Sequence, residues 1–277
     1  MTLYSAMRRL RISSTYLFLI LLSMVMSFPL FWMVMTSVKP QREVFTQFLP
    51  RAITFANFDR VWNAMNLPLH LGNSLYVAAL VIVIVVITST LAGYAFGRME
   101  FPRRNLLFYV FISAMMIPAQ AILIPMFSYL NSLGLLNTQI GLGLSMTGGS
   151  IAFATFLMRS FFKALPSELG DAGKIDGCND WGVFRHVYLP LSRPGIATVV
   201  IFQFMGTWNE FMFSTTFIRT PTLKTIQPAL YQVVGRYAID YTALSAGLLL
   251  AIVPILIVFM LLQKQFIKGM TAGALKG

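Results

Sequence analysis

Residues 105–158 read NLLFYVFISAMMIPAQAILIPMFSYLNSLGLLNTQIGLGLSMTGGSIAFATFLM, 54 consecutive positions without a charged side chain. A bilayer core ~30 Å thick is crossed by about 20 mainly apolar helical residues, so this stretch suffices for two crossings. Its middle, Ser128 to Gln139, holds Asn131, Gly134, Asn137 and Thr138, and the chain is expected to turn there. The rest of the sequence agrees. Of the 277 residues 57% are apolar and 11% charged, too few polar groups to clothe a soluble core of that size. So much apolar surface also excludes a disordered chain. The single cysteine, Cys178, excludes an internal disulfide framework.

Four more charge-poor runs lie outward of this stretch. Ile12–Val38 and Leu75–Phe96 precede it; Pro194–Ile218, interrupted only by Glu210, and Tyr241–Gln263 follow it. The β-branched residues of Leu75–Phe96 would favour a strand in water. In lipid a helix satisfies its own backbone, and a barrel would need many alternating segments that are absent. Arg8, Arg9 and Arg11 precede the first run as in a secretory signal. Its apolar part exceeds the roughly 7–15 residues of a signal and lacks a small-residue cleavage site, so a retained anchor is expected. The reading is an all-α polytopic membrane protein of six transmembrane helices with both termini on one side.

Basic residues set the orientation, because they accumulate on the cytoplasmic side. Six spans place fourteen of the 21 Lys and Arg residues on the side of the termini and seven on the other. The termini are therefore expected to be cytoplasmic. The net charge of +12 then reads as a topology signal and not as a nucleic-acid footprint, since no basic stretch is interleaved with polar or aromatic readers. Between the fourth and fifth runs the character changes: Arg159–Arg193 holds nine charged residues in 35 positions. Two short helices are expected there. Ser167 can cap the first, with Glu168 and Asp171 near its positive end and Gly177 closing it. Asn179 or Asp180 can cap the second, whose Trp181, Phe184, Val187 and Tyr188 share a side and which Pro190 should stop. A solvated surface hairpin and a docking element for a cytoplasmic partner both fit these features.

The run Pro166-Ser167-Glu168-Leu169-Gly170-Asp171-Ala172-Gly173-Lys174-Ile175-Asp176-Gly177, followed by Val187-Tyr188-Leu189-Pro190, resembles the EAA loop of bacterial ABC importer permeases. Here the Glu-Ala-Ala triplet is Asp171-Ala172-Gly173, with the acid one methylene shorter and the second alanine replaced by glycine. Asn73-Ser74-Leu75, Leu91-Ala92-Gly93-Tyr94-Ala95, Met115-Met116-Ile117-Pro118, Leu133–Thr138, Trp208-Asn209-Glu210-Phe211 and Gly269–Gly277 extend the resemblance over nearly the whole chain from Asn73. Together they are similar to the shorter permease of the carbohydrate (maltose) branch. The resemblance implies a type I ABC importer permease fold, with an anchor helix and outer loop over 1–70, a transmembrane core over 71–263 containing the 159–193 hairpin, and a cytoplasmic tail over 264–277. It implies three kinds of partner besides lipid: a homologous permease, two cytoplasmic ATPase subunits, and an extracytoplasmic solute-binding protein. ATP and Mg would be held by the ATPases, and this chain would bind no cofactor.

By the same resemblance Glu168, Asp171, Ala172, Gly173, Lys174, Asp176, Gly177, Leu189 and Pro190 are the ATPase-coupling residues. Thr271, Gly273, Lys276 and Gly277 of the tail would also reach the ATPases. Glu210 lies ~21 Å along its span from Ile196 and is the one acid inside a span. It is expected either to line a sugar path with Trp208 and Asn209 or to make a structural helix-to-helix contact, the second being preferred because the sugar site of the maltose-type system belongs mainly to the companion permease. Pro118, Pro125 and Pro254 are candidate kinks. His70 and His186 stand apart, so no metal site is expected, and no catalytic constellation or phosphate-binding Gly-Lys loop occurs. Glycerol phosphate or a small polyol is an alternative solute. A secondary transporter is the alternative of another class and would need several intramembrane polar groups on broken helices.

Overall fold

The computed structural model describes the backbone of residues 2–232 and 239–274, and the side chains of 11–232 and 239–265. Among the described residues the regular structure is helical, without a β-strand. The principal helices are α1 (Thr2–Ser37), α2 (Leu67–Arg98), α3 (Arg104–Ser113), α4 (Ala119–Ser132), α5 (Gln139–Ala164) and α6 (Glu168–Ile175). They continue as α7 (Asp180–Leu191), α8 (Arg193–Trp208), α9 (Met212–Phe217), α10 (Ile226–Tyr231) and α11 (Tyr241–Ala274). Among the described residues four helices are long and apolar enough to cross a bilayer: Arg11–Ser37, Leu67–Arg98, Gln139–Ala164 and Tyr241–Gln265. Two bent pairs, α3 with α4 at 93° and α7 with α8 at 69°, bring the candidate crossings to six if each pair is one broken span.

Both bends have local causes. Proline disfavours the helical conformation in the residue before it, and Ile117 is accordingly extended (φ −80°, ψ 116°) where the chain turns into α4 at Pro118. α7 runs only one residue past Pro190, to Leu191, so it ends where that proline predicts. The path bends after it, at Ser192, before Pro194 opens α8. The fifth run also fails to remain one helix to Ile218: α8 ends at Trp208 and α9 begins at Met212.

By its contacts the chain divides into two compact units. The first comprises residues 1–67 and 232–251. Its α1 is exposed along most of its length, as a lipid-facing helix is, and buries only its end at Thr36 and Ser37. Beyond it Lys39 is fully buried, its Nζ donating to the Gln47 and Phe48 carbonyls at 2.8 Å and lying 4.8 Å from the Trp32 ring centre. Burial lowers the Lys39 pKa, with Glu43 opposing. Asn57 Nδ2 donates to the Ser37 and Lys39 carbonyls, and Asn57 Oδ1 lies 3.1 Å from the Thr242 hydroxyl. Arg60 pairs with Asp240, which also accepts from the Thr242 hydroxyl and the Ala243 amide. These bonds hold the start of α11 to a loop about 180 residues earlier.

The second unit comprises residues 68–231 and 252–277, with α2, α5 and α8 at its centre. In lipid, helices gain little hydrophobic drive from one another and associate where small residues let backbones approach. Gly93 of α2 does this: a Cβ there would lie 2.5 Å from Met158 Cβ of α5. Gly143 of α5 admits Leu80 of α2, and Gly195 of α8 admits the Phe161 ring. The turn expected within Ser128–Gln139 is present. Gly134 and Asn137 have left-handed backbones (φ 69° and 60°), Asn137 Oδ1 accepts from the Arg219 and Thr220 amides, and Thr138 caps α5 through the Gly141 amide.

Candidate functional site

The charged segment after α5 folds into the short hairpin α6–α7. Glu168 and Asp171 stand in the first turn of α6 and Lys174 in its last, the distribution a helix dipole favours. Ser167 occupies the N-cap position, but its side chain makes no cap bond. The other end closes through a Schellman arrangement: Gly177 is left-handed (φ 86°), its N–H donates to Lys174 O, and the Cys178 N–H donates to Gly173 O. Asn179, not Asp180, caps α7, accepting from the Gly182 amide at 2.8 Å.

The two glycines of α6 explain themselves by contact. A Cβ on Gly170 would meet Tyr188 Oη at 2.7 Å, and one on Gly173 would meet Val187 and Val183 methyls at 3.2 and 3.3 Å. At Gly170 the second limb lies too close for alanine to enter freely, and at Gly173 it is merely tight. The inner side of the hairpin is aromatic. Tyr188 and Phe184 are buried, with ring centroids 5.5 and 4.8 Å from that of Tyr94 on α2. Arg98 at the end of α2 ties three elements together: it donates to Phe162 O and Leu165 O at the end of α5 and stacks 4.9 Å from the Tyr188 ring centre. Both lie at the C-terminal end of α5, where Phe162 O also accepts from the Leu165 amide.

The outer side stays open. Ile175 is 87% exposed and Trp181 59%, amid exposed Glu168, Asp171, Ala172, Lys174, Asp176 and Gly177. Lys174 pairs with Asp180 at 3.1 Å on the surface, a contact worth under about 1 kcal/mol. Of the coupling set only Gly173 is buried; Leu189 is partly buried and Pro190 exposed where α7 approaches its bend. A cavity of about 470 Å³ at the root of the hairpin is lined by Arg98, Glu100, Asp171, Lys174, Asp180 and Tyr188 among others. Thr271 and Gly273 fall in the last turns of α11, with side chains outside the described residues. Lys276 and Gly277 lie outside the described residues altogether.

The second candidate region is the break between α8 and α9. Glu210 is neither buried bare nor paired to another helix: its Oε1 accepts from the Phe213 amide (2.8 Å) and its Oε2 from the Ser214 amide (2.9 Å), so it caps α9. This corrects the expected helix-to-helix contact, and the reason is local, because the free N–H groups of a new helix are the nearest donors. Trp208 is 1% exposed and stacked on Phe204 at 5.2 Å, so its ring is turned away from any open path. Asn209 is exposed, its Nδ2 donating to Met205 O. Of the three, Glu210 lines a cavity of about 570 Å³ bounded by the α3–α4 and α8–α9 breaks, by α5 and by α8. Gln203 and Thr207 line it too. Neither is among the sequence-based candidates, although 203, 207 and 210 form one polar stripe at helical spacing in an apolar run.

Residues 89–272 match the family described as binding-protein-dependent transport system inner membrane component. Among similar proteins, a probable ABC transporter permease of Bacillus subtilis, YurM, is 36% identical over 267 residues, covering 96% of this chain and 89% of that one. The diacetylchitobiose uptake system permease NgcG of Streptomyces coelicolor is 33% identical, covering 93% and 87%. A solved bacterial ABC transporter involved in import of the acidic polysaccharide alginate shares the fold, with TM-score 0.82 and 22% identity over 93% of this chain and 97% of that chain. This chain therefore belongs to the binding-protein-dependent inner membrane components, the non-catalytic, multi-pass permease subunits of ABC importers.

Proposed function

We propose that this permease forms, with a homologous partner permease, the membrane pathway for a sugar or oligosaccharide delivered by a solute-binding protein, and that α6 and α7 couple the pathway to two ATPase subunits. The observation that carries the reading is the two-sided hairpin. Its inner side is locked by Tyr188, Tyr94 and Arg98 to the ends of α2 and α5, and its outer side offers Ile175, Trp181 and mixed charges, an apolar centre with a charged rim. A push on the outer side reaches two pathway helices at once, because the Arg98 guanidinium holds the α5 carbonyls and the Tyr188 ring together.

The basic-residue tally supports a cytoplasmic hairpin and cytoplasmic termini. There the ATPases bind ATP and Mg, and Thr271, Gly273, Lys276 and Gly277 of the tail provide a second contact with them. The outer loop 219–240 is then the candidate contact for the binding protein, residues 233–238 of it lying outside the described residues. The carbohydrate class rests on relatives such as the diacetylchitobiose permease. Purification in mild detergent should bring the ATPase along, and Asp171→Lys combined with Gly177→Trp should abolish ATP-driven sugar uptake. Uptake that survives both changes refutes coupling through the hairpin. Uptake that stops with an uncoupler while ATP persists refutes the ABC reading in favour of a secondary transporter.

A further inference from the structure

The cavity of about 570 Å³ lies within the range of small-molecule sites, roughly 300–1,000 Å³. Its chemistry is specific in three respects. First, Gln203 and Thr207 line it one helical turn apart on α8, each 6% exposed, and neither side chain has a hydrogen-bond partner among the described residues. Their polar atoms are not among the buried side-chain atoms that lack a partner, so the amide and the hydroxyl keep accessible surface on a cavity they line and can hydrogen-bond what enters it. Second, Gly148, Gly149 and Gly206 border the cavity, and a Cβ on any of them would meet nothing within 4 Å. Glycine weakens a helix interior relative to alanine, and no close packing here demands it; what these three positions preserve is volume. Third, the charge is one-sided. No Lys, Arg or His lines the cavity, and its one ionisable group is Glu210, whose two oxygens are already held by backbone amides.

We propose that this subunit carries its own solute subsite in this cavity, built for an uncharged, hydroxyl-rich unit such as one glycosyl residue, with Gln203 and Thr207 as its hydrogen-bonding pair. It deepens the sugar-permease reading and rests on it. Ile117, Met146, Met212 and Phe213 supply apolar surface for the C–H face of a sugar ring, while the amide and hydroxyl exchange hydrogen bonds with ring hydroxyls. A carboxylated, sulfonated or phosphorylated sugar would bring a second negative charge beside Glu210, away from bulk water and without a cation to offset it. The subsite therefore selects neutral over acidic sugars.

The test uses the assembled transporter in proteoliposomes loaded with ATP, with N,N′-diacetylchitobiose, galacto-oligosaccharides and arabino-oligosaccharides as neutral probes and alginate oligosaccharides as the acidic one. For the neutral probe that the unaltered complex transports, Gln203→Leu and Thr207→Val should each lower transport efficiency about tenfold, the loss of one hydrogen bond, with unchanged recovery of the complex. Gly206→Leu, whose new side chain has room to fold, should block transport by filling the cavity. Neutral uptake unaltered in all three variants overturns the subsite, as does loss of the partner permease from the complex, which would mean that the partner fills the cavity. Acidic probes carried as fast as neutral ones overturn the charge selection. ATP-driven uptake of none of the sugars by the unaltered complex overturns the sugar-permease reading itself, and the subsite with it.

Discussion

Gly170→Ala tests the account of the hairpin most directly. Alanine stabilises a helix interior by about 0.5–1 kcal/mol over glycine. Against this, its Cβ would sit 2.7 Å from Tyr188 Oη and 3.3 Å from Cε2 of the same ring. The ring cannot retreat easily, since it is 3% exposed and wedged by Tyr94, Phe162 and Arg98. Overpacking of this kind costs typically 1–3 kcal/mol, so the net effect is a loss of about 1 kcal/mol, or roughly fivefold faster local opening. Tyr188→Phe removes the oxygen and leaves ring carbons at ordinary or slightly tight distances, so in that background Gly170→Ala should become neutral or stabilising. The coupling in the double-mutant cycle should be about 1 kcal/mol or more. Hydrogen exchange of the α6 amides in the detergent-solubilised complex reads these differences. If Gly170→Ala slows exchange with Tyr188 present, or if the cycle shows no coupling, close approach is not the reason for the glycine. Gly173→Ala, which restores the family's second alanine, meets only methyls at 3.2–3.3 Å and should change opening by less than about 0.5 kcal/mol.

Arg98→Lys keeps the charge but loses the planar fork that serves two carbonyls and the Tyr188 stack; it should destabilise the α5–α7 junction by about 1–3 kcal/mol, visible as faster exchange from Phe162 to Ser167. Glu210→Gln retains one acceptor of two and should cost about 1 kcal/mol at the α9 cap, measured as a lower Tm of the purified complex. An unchanged Tm would deny the carboxylate its capping role. Burial opposes ionisation of Asp240, but the Ala243 amide, the Thr242 hydroxyl and Arg60 outweigh it and lower the pKa. The contribution is therefore complete above the ordinary aspartate pKa and is lost as pH falls through the lowered folded value. Limited proteolysis of residues 39–60 should rise at acid pH, and Asp240→Asn should be cut readily at neutral pH with a flatter profile.

Much of the architecture was legible because lipid simplifies the problem. Charge-free runs long enough to cross a bilayer must be helical, and Leu75–Phe96 and Tyr241–Gln263 lie within single helices as read. Turn residues with local conformational preferences also spoke plainly, as Gly134, Asn137, Thr138 and Gly177 show. The bends were harder. Pro118 was legible as a kink but not as a 93° turn, and Pro190 marked the end of α7 but not the 69° bend that follows it.

Hydrophobic length and charge spacing, which are local properties, determined from the sequence alone that this is a polytopic helical membrane protein with one polar hairpin of permease type. The tertiary structure decided what depends on residues distant in the chain. It put Arg98 on the end of α5, closed Tyr188 against Gly170, and left Gln203 and Thr207 open to a cavity while Trp208 turned inward. A helical pattern ranks faces by polarity. Which polar face meets a partner and which meets empty space is set only when the other helices are in place.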